Sequence, residues 1–171
     1  IFTQRLHLKP VSYDHCDFLF KYATNPEVNK FVAWQAPTSI SETKKFIECC
    51  DEGWANNSDF NWTITDKNGG ELLGAIEVIP SLYSAKFGYV IDPKFWGKGY
   101  ATEAGKAIVD LVFAQPSIFR VWTVCAVENK ASARVLEKIG LQLEGILRKW
   151  ALRPNFDAKV PGDCFCYAKV K

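Results

Sequence analysis

The chain has 171 residues, 48% of them hydrophobic, and a net charge of +2 from 21 Lys and Arg against 19 Asp and Glu. This length and apolar content suit one domain over residues 1–171 with one sizeable core, and the weak charge does not indicate a nucleic-acid partner. No apolar run approaches the roughly 18 residues of a membrane span and no signal-peptide pattern opens the chain, so we expect a cytoplasmic protein that binds no membrane. Since the chain starts at Ile1 and has no Met, we expect the initiator residue to lie before it.

Strand and helix patterns alternate along the chain without a linker or a repeat. Residues 4–9 alternate as a strand, and Ser12 or Asp14 caps a helix that Asn25-Pro26 ends. Apolar side chains at helical spacing predict a second helix over residues 41–55. The remaining predictions are strands at 61–65 and 72–79 around a turn at 66–70, a strand at 87–91, a helix at 101–114, a strand at 119–126, a helix that Gly140 ends, and strands at 143–152 and 163–169. Together they predict a mixed sheet flanked by helices.

The segment 87–104 is the most informative part of the chain: a buried strand, a turn with Gly97 and Gly99, and a helix start. Such a junction directs free N–H groups at the positive end of a helix dipole, which favours an anionic ligand such as phosphate. A P-loop is excluded because Lys98 is followed by Gly99 and no glycine stands at the required upstream position. A dinucleotide fingerprint is excluded because Thr102 occupies the place of its third glycine or alanine. By itself, the turn is equally compatible with an ordinary helix start.

A second segment, residues 127–141, reads Val-Glu-Asn-Lys-Ala-Ser-Ala-Arg-Val-Leu-Glu-Lys-Ile-Gly-Leu. Together the two segments resemble the pyrophosphate motif and the Asn-helix-Gly motif of the GCN5-related N-acetyltransferase (GNAT) superfamily. The residues of these motifs are similar to those of the RimJ/RimL-like branch, which acetylates ribosomal-protein N-termini. The resemblance extends from residues 5–10 to 163–167. It implies the GNAT fold, with α/β (α+β) architecture: a central mixed, mostly antiparallel sheet of about seven strands flanked by about four helices. The parallel strands 87–91 and 119–126 would splay apart to admit a cofactor.

The resemblance implies transfer of an acetyl group from acetyl-coenzyme A, the co-substrate, to a primary amine by direct attack in a ternary complex. It places the pyrophosphate against the N–H groups of Gly97, Lys98, Gly99, Tyr100 and Ala101, with the Thr102 hydroxyl as a further donor. The Lys98 side chain either adds charge there or is a solvated loop lysine. Val90 and Ile91 would offer main-chain groups to the pantetheine arm, and one of their N–H groups could serve the oxyanion. Asn129 would contact the same arm, although capping of its own helix is the other reading.

The catalytic residues are less well marked. Acyl transfer to an amine needs a neutral nitrogen, a donor for the oxyanion and a proton for the departing thiolate. Many members of the superfamily have a Tyr acid where this chain has Leu136, so the resemblance makes Ser132 the acid candidate, unless Ser132 simply faces solvent. Glu77 is the best remaining carboxylate for the base, because Lys86 stands where the branch often has Glu. An outward, solvated Glu77 and proton release through water without a base both stay open.

The acceptor is either a protein N-terminus or a small-molecule amine, and the protein is a monomer or a homodimer. Aromatic and amide side chains are available for an amine-binding wall: Tyr13, Phe31, Trp34, Gln35, Trp54 and Trp150. No metal is expected, because the six Cys residues contain no Cys-x-x-Cys pair and only His7 and His15 could join them. The Cys residues are interpreted as structural, and Glu103, in the first helical turn, as structural too. The competing function is a non-catalytic coenzyme A-binding regulatory or scaffold module.

Overall fold

The computed structural model describes residues 1–68 and 70–171. Its strands are β1 (Leu6–Pro10), β2 (Phe60–Asp66), β3 (Leu72–Pro80), β4 (Ser84–Ile91), β5 (Arg120–Ala126), β6 (Gln142–Arg153) and β7 (Asp157–Val170). Its α-helices are α1 (Cys16–Ala23), α2 (Pro26–Asn29), α3 (Ile40–Asn56), α4 (Tyr100–Phe113) and α5 (Lys130–Ile139), with 3-10 turns at Tyr13–His15 and Pro93–Phe95. The predicted alternation is confirmed, α2 brings the described helices to five rather than about four, and Gly69 of the predicted turn lies outside the described residues.

One seven-stranded sheet contains all these strands, in the order β1-β2-β3-β4-β5-β7-β6. Every neighbouring pair is antiparallel except β4 and β5, which run parallel. The predicted mixed, mostly antiparallel sheet is therefore confirmed. β4 and β5 can run parallel because α4 connects them: the helix carries the chain from the end of β4 back to the edge of the sheet at which β4 began.

The parallel pair is joined only at its beginning. Its register ends at Lys86 opposite Trp122, whereas β4 stays paired with β3 as far as Ile91 and β5 stays paired with β7 as far as Ala126. Past Lys86 and Trp122, the facing edges of β4 and β5 pair with no strand in the described part of the chain. They enclose a wedge, bounded by residues 87–91 of β4 and 123–126 of β5. The predicted splaying of these two strands is confirmed.

Helices cover both faces of the sheet, and alternation along β4 divides its side chains between them. Phe87 belongs to a core cluster with Ile108 of α4 and Leu136 of α5, and all three are at most 1% exposed. Val90, on the opposite face, packs with the cluster that contains Leu19 and Ile47 of α1 and α3. Because successive strand residues point to opposite faces, β4 presents different side chains to each helix pair. The wedge therefore connects two chemically separate sides of the sheet.

The end of α1 agrees with the predicted stop at Asn25-Pro26. The Asn25 side chain accepts a hydrogen bond from the Glu27 N–H at 2.9 Å, and Pro26 occupies the first turn of α2, where a missing N–H costs nothing. At the other end, Ser12 precedes the 3-10 turn rather than α1 itself, with the Ser12 N–H donating to His15 Nδ1 at 3.1 Å. These local signals separate α1 from α2 and bring the chain to the segment before α3.

Candidate active site

The loop between β4 and α4 has the geometry of an anion site. Gly97 and Gly99 have φ angles of +75° and +81°, which favour glycine, and Gly99 is the residue before α4. As at any helix start, the N–H groups of Tyr100, Ala101 and Thr102 have no carbonyl partner within the helix. Gly99 has no side chain that could cap them instead. Residues 97–102, the predicted pyrophosphate ligands, thus lie together at the positive end of a 14-residue helix.

Arg5 holds this loop from the far end of the sequence. Its Nη1 donates to the Lys98 carbonyl at 3.0 Å, and its Nε forms an ion pair with Glu103 Oε2 at 2.7 Å. The Arg5 backbone N–H and the Thr3 hydroxyl both donate to Glu103 Oε1, at 2.8 and 2.6 Å. Partial burial alone would raise the pKa of Glu103, but these hydrogen bonds bring it below its ordinary value. Glu103 is structural, as predicted, whereas the role of Arg5 had no local sequence signal.

Lys98 is exposed, and its Nζ lies 5.2 Å from the centroid of the Phe95 ring. Its carbonyl, rather than its side chain, makes the contact that shapes the loop. This position agrees with the solvated-lysine reading, and a charge contribution of Lys98 to an anion stays a prediction.

Val90 and Ile91 direct their main-chain N–H and C=O groups to opposite edges of β4. The Asp92 N–H donates to the Leu73 carbonyl of β3 at 2.8 Å, and the Val90 carbonyl lies so close to Gly74 that a Cβ there would clash with it. In an antiparallel pair, neighbouring residues direct their N–H and C=O groups to opposite edges. Val90 therefore uses its main chain on β3, contrary to the prediction, and Ile91 directs its N–H and C=O into the wedge.

The Ile91 carbonyl already accepts a hydrogen bond from Trp96. The Trp96 indole Nε1 donates to this carbonyl at 2.7 Å, which links the loop after β4 to the wall of the wedge. The Ile91 N–H is left as a main-chain donor on that wall. Sequence reasoning missed Trp96, which follows the strand as an ordinary aromatic residue.

Asn129 precedes α5 and caps it. Its Oδ1 accepts a hydrogen bond from the Ser132 N–H at 3.1 Å, so the capping interpretation is present in the structure. Its Nδ2 makes no hydrogen bond within the described residues, which leaves the predicted contact with the pantetheine arm compatible with the cap.

Ser132 does not simply face solvent. Its hydroxyl lies 2.9 Å from the phenolic oxygen of Tyr89, on the unpaired part of β4. Burial raises the pKa of Tyr89 to about 12, against the opposing hydrogen bond from Ser132. Leu136, where a Tyr was missing, is 1% exposed and lies in the core. Tyr89 and Ser132 thus place two hydroxyl groups beside the wedge.

Glu77 lies in the middle of the sheet, on the face covered by α1 and α3. Its register partners are Asn61 on β2 and Gly88 on β4. A Cβ on Gly88 would lie 2.8 Å from Glu77 Oε1, so the carboxylate lies directly over Gly88. Burial raises the pKa of Glu77, the charge of Asp59 raises it further, and Lys86 opposes both. Glu77 thus lies half-buried beside the cavity lining rather than fully outward in solvent, and its role as base stays a prediction.

A cavity of about 440 Å³ lies above Glu77, between the sheet and the segments α1 to α3. Of the predicted acceptor residues, Trp34 and Gln35 line it. Trp54 instead packs edge-on against Trp62, with ring centroids 5.1 Å apart, and Trp150 is exposed on β6. The complete lining is Leu19, Tyr22, Ala23, Trp34, Gln35, Pro37, Glu42, Thr43, Phe46, Asn61, Ala75, Ile76, Glu77, Gly88, Tyr89 and Val90. Phe46 and Tyr22 were not predicted, because helical spacing alone does not say which apolar side chains meet a void.

The cavity reaches the wedge at residues 88–90 of β4. The glycine loop that follows β4, the wedge and the cavity with Glu77 therefore all adjoin this one strand. Such an arrangement can bring together an extended phosphate-bearing ligand and a second, smaller ligand.

Two buried thiols, Cys50 and Cys125, are poorly suited to nucleophilic attack. Burial raises the pKa of Cys50 to about 12 and that of Cys125 to about 11, so neither is a ready thiolate. Among the described residues, no group of three His, Cys, Asp or Glu is placed to hold a metal. Within the same residues, no helix is both long and apolar enough to cross a membrane.

The chain belongs to the GNAT acetyltransferase family: the family described as Acetyltransferase (GNAT) domain matches residues 5–142. It is 27% identical to the uncharacterized N-acetyltransferase YoaA of Bacillus subtilis, over 99% of this chain and 95% of that protein. Its fold is similar to the microcin self-immunity acetyltransferase MccE in complex with acetyl-CoA and AMP, at a TM-score of 0.88 and 25% identity over 99% and 94% of the two chains. The fold is also similar to that of RimL, a ribosomal-protein acetyltransferase in complex with coenzyme A, with a TM-score of 0.87 and 22% sequence identity. The match covers 98% of this chain and 95% of that chain. The predicted family and fold are confirmed.

Proposed function

We propose that this acetyltransferase moves the acetyl group of acetyl-CoA to a primary amine by direct attack in a ternary complex. The observation that carries the proposal is the meeting of the wedge and the cavity at residues 88–90, because it gives two substrates one point of contact. Direct transfer then needs no covalent enzyme intermediate, and the raised pKa values of Cys50 and Cys125 agree with that.

The residues present fit acetyl-CoA. The N–H groups at 97–102 would bind the pyrophosphate, and the positive φ of Gly99 supports close approach of an anion to the backbone. Asn129 would hold the pantetheine arm along the wedge, while the Ile91 N–H stays available for the oxyanion. The thioester would then lie near β4, at the opening into the cavity.

The acceptor enters as an ammonium ion and must lose a proton to expose its lone pair. Glu77 is suited to accept that proton, because its raised pKa brings a carboxylate closer to the pH at which the enzyme works. The nitrogen then attacks the carbonyl carbon, the carbon–nitrogen bond forms, and the carbon–sulfur bond breaks with its electron pair on sulfur. The second nitrogen proton finishes on the thiolate, so an ammonium and acetyl-CoA yield an amide, coenzyme A and one proton released through Glu77.

Two donors in the wedge would stabilise this step. The Ile91 N–H is directed into the wedge and suits the developing oxyanion. The Ser132 hydroxyl, held by Tyr89, would donate to the sulfur as it leaves. Both are hydrogen-bond donors in a partly buried place, where such bonds are stronger than in water.

The test combines binding and turnover. At about 100 times its dissociation constant, coenzyme A should stabilise the fold by about 2.7 kcal/mol, seen as a raised Tm, while NAD and ATP should do much less. Release of free thiol from acetyl-CoA should then depend on an added amine. Equal stabilisation by all three ligands would contradict the assigned site, and binding without turnover of any amine would favour the regulatory or scaffold module.

A further inference from the structure

The charged residues that line the cavity are all acidic. Among the described residues, its lining contains the carboxylates of Glu42 and Glu77 and no Lys, Arg or His. Both oxygens of Glu42 accept hydrogen bonds from Thr38, one from the N–H at 3.0 Å and one from the hydroxyl at 2.7 Å, at an exposed helix start. Glu77 is therefore the one desolvated carboxylate of the lining that is placed to pair with a cation.

The rest of the lining is mainly apolar. Leu19, Ala23 and Pro37 contribute aliphatic surface, and Trp34 and Phe46 contribute aromatic surface. The volume of about 440 Å³ lies in the range of small-molecule sites, which combine apolar walls with a few polar groups. These walls suit the apolar body of an amine and not a further charge.

One main-chain acceptor in the cavity wall, the Asn61 carbonyl, is already used. The Asn61 carbonyl already accepts from the Val11 N–H at 3.1 Å and from Trp54 Nε1 at 3.2 Å. Asn61 as a whole is only 5% exposed. A bound peptide would bring an N–H and a C=O group with every residue, and each costs free energy when it is buried without a partner.

The wall formed by residues 34–37 is held in place by the turn between β6 and β7. Asn155 Oδ1 accepts from the Ala36 N–H at 2.9 Å, and Asn155 Nδ2 donates to the Trp34 carbonyl at 2.8 Å. Gln35 Nε2 donates to the same Oδ1 at 3.3 Å. Because one side chain makes these three bonds, Trp34 keeps its place at the cavity.

From these features we propose that the cavity binds a small primary amine with one positive charge, an apolar or aromatic body and no carboxylate. Glu77 pairs with its ammonium group, and Trp34 and Phe46 contact its body. The proposal rests on the proposed function and narrows its acceptor: the second charge of a polyamine would meet only Glu42 at the exposed start of α3, and a peptide N-terminus would bury amides against apolar walls.

The first experiment compares matched acceptors by thiol release at saturating acetyl-CoA. Phenethylamine and phenylalanine differ by one carboxylate, and phenylalaninamide keeps the bulk without the charge. We expect kcat/KM for phenethylamine to exceed that for phenylalanine about 100-fold or more, since like charges in a desolvated site are strongly disfavoured. Phenylalaninamide should fall between them, while spermidine and a phenylalanine-initiated tetrapeptide should react about 10-fold or more slowly than phenethylamine.

The second experiment fills the cavity. Ala23 lines it at the end of α1, so Ala23→Leu should raise KM for phenethylamine about 10-fold and leave the dissociation constant of acetyl-CoA unchanged. Ala55→Leu is the matched control, because Ala55 is exposed on α3 and does not line the cavity. An unchanged KM in Ala23→Leu would place the acceptor elsewhere.

The outcomes separate the two proposals. A tetrapeptide or spermidine turned over faster than phenethylamine, or phenylalanine turned over equally well, overturns the acceptor class and leaves acetyl transfer standing. No thiol release with any acceptor, in a protein that coenzyme A still stabilises, overturns both proposals.

Discussion

The phenolic oxygen of Tyr89 lies 2.9 Å from the hydroxyl oxygen of Ser132, which connects the unpaired part of β4 to the first turn of α5. A hydroxyl that accepts one hydrogen bond can still donate its own proton to another partner. We therefore expect Tyr89 to orient Ser132, so that the Ser132 proton is directed at the sulfur of the substrate thioester. The two side chains together would supply the proton donor for the departing thiolate, a role that many members of the superfamily give to a Tyr at the position of Leu136.

Tyr89→Phe tests this orientation while it keeps the ring in the wedge wall. Without the phenol, Ser132 loses its fixed hydrogen bond, so we expect kcat to fall about 10-fold, toward the lower end of effects on proton transfer. KM for acetyl-CoA should change little, and the loss of one hydrogen bond should cost about 1 kcal/mol of stability. Steady-state kinetics and thermal unfolding measure both, and an unchanged kcat would separate Tyr89 from the reaction.

Ser132→Ala removes the donor itself. Because the bond to sulfur strengthens only in the transition state, kcat should fall by ~10² to 10⁴, or about tenfold where water substitutes, with little change in acetyl-CoA binding. Ser117→Ala, an exposed serine before β5, is the control. Lower affinity or stability at normal kcat would instead assign Ser132 a purely structural role in α5.

Glu77→Gln should separate stability from activity. The raised pKa of Glu77 means that the folded state binds this proton more tightly than the unfolded state, so its contribution to stability is present below the unfolded pKa and is lost as pH rises through the folded pKa. The Gln variant should therefore have a higher Tm than the parent at neutral pH, and the difference should disappear in acid. Its kcat should fall by ~10² to 10⁴ if Glu77 is the base. Normal kcat would leave proton release to water.

Gly99→Val tests the anion site. A β-branched residue at a φ of +81° is strained by about 1–2 kcal/mol, and its side chain would stand beside Arg5 Nη2, 3.5 Å from the new Cβ. We expect loss of coenzyme A binding, measured by calorimetry, in a protein that still unfolds cooperatively. Gly145→Val is the control, because a Cβ there meets nothing within 4 Å. Normal coenzyme A affinity of the Gly99 variant would remove the loop from the site.

Glu103→Gln tests the support of the same loop. The lowered pKa of Glu103 gives stability that is present above its unfolded pKa and is lost as pH falls through its folded pKa. The variant should lose about 1–2 kcal/mol at neutral pH and match the parent in acid, and its KM for acetyl-CoA should rise as Arg5 loosens. Glu52→Gln, on the exposed side of α3, should change neither. A pH-independent loss would show that the charge of Glu103 is not what matters.

Local chemistry determined what the sequence could predict. A positive φ at Gly99, the cap at Asn129 and the stop at Asn25-Pro26 depend on residues within a few positions, so these features follow from short-range sterics and hydrogen bonding. The order of the two motifs identified the family, and through it the splayed strands. The same information could not assign the main chain of Val90, because the direction of a strand's N–H and C=O groups depends on its register with the neighbouring strand.

Tertiary structure alone decided the chemistry of the side chains. Glu77 is a desolvated carboxylate rather than a solvated one because Asn61 and Gly88 flank it from two other strands and Asp59 lies near it. Arg5 reaches the glycine loop across 93 positions of sequence, and Asn155 reaches Trp34 across 121. Burial, electrostatic field and hydrogen-bond partner are properties of the folded surroundings, and they join residues that no spacing rule connects.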